Sequence, residues 1–511
     1  MSAAPPFRRI LIANRGEIAV RVQRTCRDLG IETVAVHSDA DRDALHGRFA
    51  HEAVRLPGNA AAETYLRGDL LIEAALRTGA QAIHPGFGFL AEKAAFARAV
   101  EAAGLVFIGP PADAMDAMGD KLRARQAMVA AGVPVVPGTT SPVADAQTAA
   151  SVAERIGYPV MLKAAAGGGG KGIRVVREAG ELAPAFRTAS GEAESAFGDG
   201  RMYLEKFLDE PRHVEVQVLG DRHGAVLHLG ERECSVQRRH QKLIEECPSP
   251  VVDAATRALM GAAAVAAAQA VGYHSAGTVE FLWSRGEFYF LEMNTRIQVE
   301  HGITEEVWGV DLIEWMLRVA AGERVDALAA AAPRGHAIEV RLNAEDPDRN
   351  FLPSLGRITN LRLPGGPGVR VDSGMYRGME VTPWYDSMLA KLIVHGRDRE
   401  QARRRMVRVL QELHVGGVTT SAGLALQVLQ SEPFCSGRYD TGTLERMRAA
   451  GALDGAAGLP EDLEQTAAIV AALHRQHAAG RKSVRRAEAG GGGVAPWVAA
   501  QRAAQFGGRR R

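Results

Sequence analysis

The opening of the chain permits few folds. Arg9 to Ala13 (RILIA) is a short apolar run and Asn14-Arg15-Gly16 interrupts it. Ile18, Val22 and Leu29 then recur at roughly helical spacing, and after Gly30 a second apolar run fills Thr33 to Val36. Two short strands separated by a helix cannot form a hairpin. They form a parallel pair with a crossover, so the chain begins a parallel sheet covered by helices. Runs at Ala82-Ile83 and Val106-Phe107-Ile108 continue the pattern up to Pro110-Pro111.

A helical stretch carrying Gly119-Asp120-Lys121 opens a second region. Val133-Pro134-Val135-Val136-Pro137-Gly138 follows as an extended connector, because its two prolines break helix. From Tyr158 strand-like and helical pieces alternate. Ala337 to Leu342 alternates apolar with charged residues, as a half-buried strand does, and Pro364 to Gly368 is turn-rich. The predicted organisation is multidomain, α/β and α+β: residues 1–115, residues 116–332 with a lid at about 135–206, residues 333–447, and a tail, 448–511.

Composition narrows the function. The 61 basic and 60 acidic residues nearly cancel, which argues against a dedicated nucleic-acid binder. The basic residues are themselves uneven. Only Lys93, Lys121, Lys163, Lys171, Lys206, Lys242, Lys391 and Lys482 are lysine, and the other 53 are arginine. Five of these eight fall between 121 and 242. A chain that otherwise writes Arg keeps Lys where a compact ammonium on a flexible stem is needed. From Arg475 onward nine Arg or Lys face the single acid Glu488, a basic tail that is either a solvated segment or a docking segment for an acidic partner. Cys26, Cys234, Cys247 and Cys435 form no C-x-x-C pair, and neither a signal peptide nor a membrane span is visible. The expectation is a cytoplasmic enzyme without zinc or disulfides. Ala254 to Val271, the most apolar stretch, contains Arg257 and Gln269 and reads as a packed soluble helix.

Three segments carry chemistry. Lys163 to Gly172 places a glycine run between two strand-like pieces. It is either a plain flexible hairpin or a loop whose backbone amides approach phosphate oxygens, with Lys163 and Lys171 supplying charge. It is neither a Walker A loop nor a dinucleotide fingerprint. Thr278 to Asn294 reads as a hairpin in which a five-residue loop, 284–288, sets Glu280 directly across from Glu292. Facing carboxylates repel unless a cation bridges them, which suggests Mg²⁺ with Asn294 as a further oxygen. The alternative is one exposed and one buried, paired Glu. If Asn294 to His301 stays extended, Arg296, Gln298 and Glu300 share a face, offering a guanidinium fork beside a proton-accepting carboxylate, unless this is merely a solvated charged strand. Gln237 to Lys242 adds a basic cluster better suited to a small anion than to nucleic acid.

Together these residues resemble the biotin carboxylases of the ATP-grasp superfamily, over roughly residues 7 to 445. The segments that carry the resemblance are Ile12 to Ala19, His84 to Leu90, Gly119-Asp120-Lys121, the glycine loop, Pro211 to Glu215, Glu231 to Ser235, Arg238 to Lys242, Glu292 to His301, Arg341 to Pro347 and Tyr385 to Met388. The resemblance implies a Rossmann-like N-terminal domain, an ATP-grasp domain with a glycine-rich lid, and a C-terminal biotin carboxylase domain. It implies a ligase that carboxylates biotin with bicarbonate and ATP through carboxyphosphate, as the biotin carboxylase subunit of a multi-subunit carboxylase.

Carried over by position, Lys121, Lys163 and His213 would meet ATP phosphates or ribose, and Gly168, Gly169 and Gly170 would close over them. Glu205 and the backbone from Lys206 to Leu208 would hold adenine, while Gln237 and His240 would line the nucleotide site. Glu280, Glu292 and Asn294 would hold Mg²⁺ or Mn²⁺. Lys242, Arg296, Gln298 and Val299 would hold bicarbonate, Glu300 would be its base, and Arg341 would stabilise the biotin enolate. The sequence departs from the family pattern at Phe87 for Tyr, Lys93 for Asn, Ala166 for Gly, and His301-Gly302-Ile303 for His-Pro-Val. No Met-Lys step of a biotin carrier occurs, so biotin is expected on a separate carrier protein unless free biotin is the substrate, with a carboxyltransferase as further partner and a homodimer as the assembly. Two other readings stand beside this one: a different ATP-grasp ligase that makes an acylphosphate, and a nucleotide-binding regulatory subunit without turnover.

Overall fold

In the computed structural model, which describes residues 5–165, 172–239, 241–328, 330–453, 471, 472 and 475, the crossover at the N-terminus is present. Strand Arg9–Ile12 pairs in parallel with Glu32–His37 on one side and Ala82–His84 on the other. Glu52–Arg55 and Val106–Phe107 complete a five-stranded parallel sheet. Strand order reverses at Arg9–Ile12, so the carboxyl ends of that strand and of Ala82–His84 flank a crevice, the usual place for a ligand in such sheets. Asn14 sits there and donates from Nδ2 to the carbonyls of Pro85 and Phe87, both at 2.7 Å. Gly86, at φ +64°, has to be glycine: a Cβ would lie 2.8 Å from that amide nitrogen.

The connector at 133–138 is extended, as its prolines require, and it joins two sheets. The Pro134 carbonyl accepts from the Phe290 amide and the Pro137 carbonyl from the Lys206 amide, both at 2.7 Å. Beyond it, strands Val160–Ala164, Ile173–Val176 and Met202–Lys206 form a small antiparallel sheet. Helices Ala146–Ile156 and Ala179–Phe197 cover it around a separate apolar core. The loop between the first two of these strands contains Gly168, Gly169, Gly170 and Lys171, which lie outside the described residues, as does His240.

The main sheet has eight antiparallel strands, in the spatial order Glu287–Asn294, Ser275–Ser284, Arg212–Gly220, Val226–Arg238, Gln241–Cys247, His336–Asn343, Met388–Gly396, Val369–Ser373. It runs without interruption across residue 332, where the sequence placed a domain boundary. The half-buried strand expected at Ala337 to Leu342 is buried on both faces. Its alternation is real, but the charged side points inward, with Ala337 packing against Ile303 and Val307 of helix His301–Trp308.

Two local expectations are corrected. The hairpin turns through Arg285-Gly286 alone, with Ser284 paired to Glu287, rather than through a five-residue loop. Leu291 is then a bulge residue, and this extra position brings Glu280 opposite Glu292 after all. Residues 295–300 are not extended. They turn into helix His301–Trp308, so Arg296, Gln298 and Glu300 do not share a strand face. Helix Ala254–Ala270 packs on the main-sheet core, and among the described residues no helix is long and apolar enough to cross a membrane. The basic tail lies almost wholly outside the described residues.

Candidate active site

Strand Arg212–Gly220 alternates cleanly. Val214, Val216 and Val218 enter the apolar core, so His213, Glu215 and Gln217 project from the opposite face. Register sets Glu280 beside Glu215 on one flank and Arg232 beside it on the other. The centre of the main sheet thereby acquires a buried polar face, over which the turn 295–300 folds.

Lys242 is its hub. The ammonium lies 2.5 Å from Glu215, 2.6 Å from Glu300 and 3.1 Å from both Glu280 and Gln298. Three protons thus face four oxygens. Burial opposes the charge, but the three carboxylates hold the Lys242 pKa well above the ordinary lysine value. Arg341, on His336–Asn343, donates to Glu245 at 2.5 Å and to the second oxygen of Glu300 at 2.8 Å. Arg232 is fully buried and binds Glu215 at 2.6 Å, Gln217 at 2.6 Å, Thr278 at 2.9 Å and Thr304 at 3.0 Å. Charges therefore alternate along a buried chain: Arg232, Glu215, Lys242, Glu300, Arg341, Glu245. Burial alone would raise the Glu300 pKa, but Lys242, Arg341 and Arg232 hold it well below the carboxylate range.

Glu280 and Glu292 occupy facing positions, as the sequence predicted. Oε1 of Glu280 accepts from Asn294 at 2.9 Å and Gln298 at 2.9 Å as well as from Lys242, while His213 Nε2 lies 3.0 Å from Oε2. Glu292 is open to the cleft. Crowding by the protein and the Glu280 charge raise its pKa, while Lys242 and His213 outweigh burial and lower that of Glu280. Two facing carboxylates beside an amide oxygen are the hard donor set that suits Mg²⁺. The Asn294 oxygen at present accepts from Arg296 at 3.0 Å. His213, Glu215 and Glu280 also bring donor atoms within 4.8 Å of one another, but Glu215 is already engaged by Arg232 and Lys242.

Arg296 binds Glu92 of the N-terminal region at 2.9 Å, a partner the sequence reading did not name. Gln298 and Glu300 converge on Lys242 from the turn, so two of the three residues expected on one strand face meet there by another route. On the nucleotide side, Glu205 is buried between Lys163 at 2.5 Å and Arg125 at 2.9 Å. Lys206 sends its side chain to the carbonyls of Gly157 and Tyr158, and the backbone just before Leu208 is fixed by the Phe207 amide on the Pro159 carbonyl. Lys121 stands exposed at the start of helix Lys121–Ala130, which Asp120 caps, and its charge reaches Glu292. Gln237 is buried and in register with Lys242.

Arg125, Glu92, Arg232 and Glu215 were missed as site residues. Glu215 carried a signal, since the polar residues His213, Glu215 and Gln217 alternate with buried valines along one strand.

Residues 6–115 match the family described as "Biotin carboxylase, N-terminal domain", residues 120–328 "Carbamoyl-phosphate synthase L chain, ATP binding domain", and residues 339–446 "Biotin carboxylase C-terminal domain". A pyruvate carboxylase subunit of Methanothermobacter thermautotrophicus is 52% identical over 443 residues, 86% of this chain and 90% of that protein. A biotin carboxylase of Nostoc sp. is 51% identical over 443 residues, 86% of this chain and 99% of its own. Among solved structures, the biotin carboxylase domain dimer of the Hydrogenobacter thermophilus 2-oxoglutarate carboxylase, in complex with MgADP, ADP and bicarbonate, superposes with a TM-score of 0.82 at 46% identity. The match covers 88% of this chain and 99% of that one. With all three domains matched in order around the buried charge chain, this protein belongs to the biotin carboxylase family.

Proposed function

We propose that the chain carboxylates biotin at the N1′ nitrogen, consuming ATP and bicarbonate, as the biotin carboxylase subunit of a larger carboxylase. The observation that carries this reading is Lys242 among Glu215, Glu280, Gln298 and Glu300, with Glu300 shared by Arg341. A site for one small oxyanion needs a compact ammonium and a carboxylate base within hydrogen-bond reach of each other, and here both are buried.

Bicarbonate is held by Lys242, Arg296, Gln298 and the Val299 backbone. In the resting site Glu300 is too well stabilised to be a strong base. As the bound anion draws Lys242 away from it, Glu300 loses one stabilising donor and its basicity rises. It then accepts the bicarbonate proton, and the freed oxygen attacks the γ-phosphorus of ATP and displaces ADP. Lys121, Lys163 and His213 stabilise the transferring phosphoryl group, and the loop of Gly168, Gly169 and Gly170 excludes water. Glu280, Glu292 and Asn294 would hold Mg²⁺ or Mn²⁺, which offsets charge on the phosphates when bound. Carboxyphosphate yields CO₂ and phosphate. The phosphate removes the N1′ proton of biotin, and the resulting enolate, beside Arg341, attacks CO₂. Glu205, Lys206, Leu208, Gln237 and His240 line the adenosine side.

This reading divides the chain at 115, 332 and 447 and assigns 135–206 to the lid; the separate core of the small sheet supports the lid, while the main sheet crosses residue 332. Biotin arrives on a separate carrier, and a carboxyltransferase and a second copy of this chain complete the assembly. Four unpaired cysteines support a cytoplasmic setting. ADP release by the purified chain tests the reading: turnover should require Mg²⁺ and bicarbonate and rise with free biotin. Turnover indifferent to bicarbonate would favour another ATP-grasp ligase, and none at all a regulatory role. Copurification of a biotinylated carrier would identify the partner.

A further inference from the structure

Beside the site lies a lysine that the proposed mechanism does not use. Lys391 is fully buried, and its strand neighbours in register are Arg341 on one side and Asp372 on the other. Its ammonium has three carboxylates nearby, yet its one short contact is to a neutral group. It donates to the Val299 carbonyl at 2.8 Å, while Glu17 and Asp372 stand off at 3.6 and 3.8 Å. Asp372 is taken by Arg370 at 2.7 Å, and both carboxylate oxygens of Glu17 and of Glu339 lack a hydrogen-bond partner among the described residues. Asp372 therefore balances the Lys391 charge at a distance, and the Lys391 protons are left free to fix one peptide, Val299-Glu300. The preceding carbonyl, Gln298, is held by His301 Nδ1 at 2.7 Å.

We propose that Lys391 is a positioning residue for the bicarbonate base: by anchoring the Val299 carbonyl it fixes the peptide that carries Glu300 between Lys242 and Arg341. The inference rests on the assignment of Glu300 as that base. It also gives a reason for the three-way junction. Glu17 comes from the first helix, Val299 from the turn that follows the hairpin, and Lys391 from the C-terminal part of the main sheet, so the base is set by contacts from three parts of the chain. A charge buried only to bind parts together would be expected to make its short contacts to the acids.

The test uses the full-length chain with Lys391→Met, with Lys391→Met/Glu17→Gln, which removes the ammonium together with the carboxyl group 3.6 Å from it, and with Glu300→Gln as reference. Thermal melts identify folded protein, and ADP release gives KM for bicarbonate and for ATP. The expected result is a bicarbonate KM raised at least about tenfold in the double variant, with the ATP KM within about twofold of the parent. A bicarbonate KM within about twofold of the parent, or parallel loss for both substrates, would overturn the positioning role. Turnover retained by Glu300→Gln would instead overturn the base assignment. A dead Glu300→Gln beside an unchanged bicarbonate KM in the double variant would remove the Lys391 role alone.

Discussion

Two buried clusters of acids and bases stand side by side on the main sheet of this protein, and they are built on opposite principles. Around Lys242 the carboxylates are saturated: Glu215, Glu280 and Glu300 each receive a donor between 2.5 and 3.1 Å, and the pKa values of Glu280 and Glu300 lie well below the carboxylate range. Around Lys391 two of the three acids are starved. Glu17 and Glu339 have no hydrogen-bond partner among the described residues, burial pushes Glu17 up to about 7 against the pull of Lys391, and Glu339 also rises. A saturated cluster can exchange partners when an anion enters, because every donor it lends to a carboxylate can be lent to the substrate instead. A starved cluster has nothing to exchange. It holds charge in place and gives shape to what lies in front of it.

The sharpest way to break this contrast is Glu300→Gln. It keeps the shape and removes the proton acceptor, so bicarbonate-dependent ADP release should fall about 10²- to 10⁴-fold while nucleotide still binds by calorimetry. Retained turnover would reduce the Lys242 cluster to structure, like its neighbour. Glu292→Gln comes next. It removes the carboxylate that is open to the cleft, and MgADP affinity should drop about ten- to a hundredfold with metal-free ADP binding little changed; equal losses would remove Glu292 from the metal site. Arg341→Lys is milder. It keeps the charge but cannot hold Glu245 and Glu300 together, so carboxyl transfer to biotin should slow about tenfold, and an unchanged rate would count against its role.

The legible and illegible parts of the molecule divide along local and non-local lines. The N-terminal parallel sheet was readable because strand, turn and helix follow one another in Arg9 to Val36, and the Glu280–Glu292 pairing because both lie in one hairpin. That pairing was reached through the wrong loop. A tight Arg285-Gly286 turn and a bulge at Leu291 differ from a five-residue loop by compensating offsets, and periodicity cannot see a bulge. The resemblance supplied Lys242, Glu300 and Arg341 as site residues. Arg232, Arg125 and Glu92 were missed because each matters only through a partner brought near by the fold: Arg125 through Glu205, and Glu92 through Arg296. The clustering of scarce lysine between 121 and 242 took in Lys242 and passed over Lys391, because a sequence cannot show what its ammonium touches.

The gentlest test compares Glu280 and Glu300 beside Lys242 with Glu17 beside Lys391 by the sign of their pH dependence, a difference of these groups and not of whole clusters, since the Glu215 pKa is raised and that of Asp372 lowered. In the Lys242 cluster, Glu280 and Glu300 have folded pKa values below those of the unfolded chain, so their stabilisation is present above the unfolded value and is lost as pH falls through the folded one. Glu17 runs the other way. Its carboxyl faces Lys391, Asp372 and Arg370 and sits at about 7 when folded against 4.5 as a free side chain, so the folded state holds the proton more tightly. Its contribution is complete below about 4.5 and is lost as pH rises through 7. Glu17→Gln removes that titration while keeping the shape of the side chain. Relative to the parent, the variant should therefore gain about 2.5 kcal/mol of stability between pH 5 and pH 8, read from denaturant midpoints at each pH. A difference that stays flat across this range would mean that Glu17 is already ionised and better paired with Lys391 than its 3.6 Å separation implies, and the two clusters would then be alike.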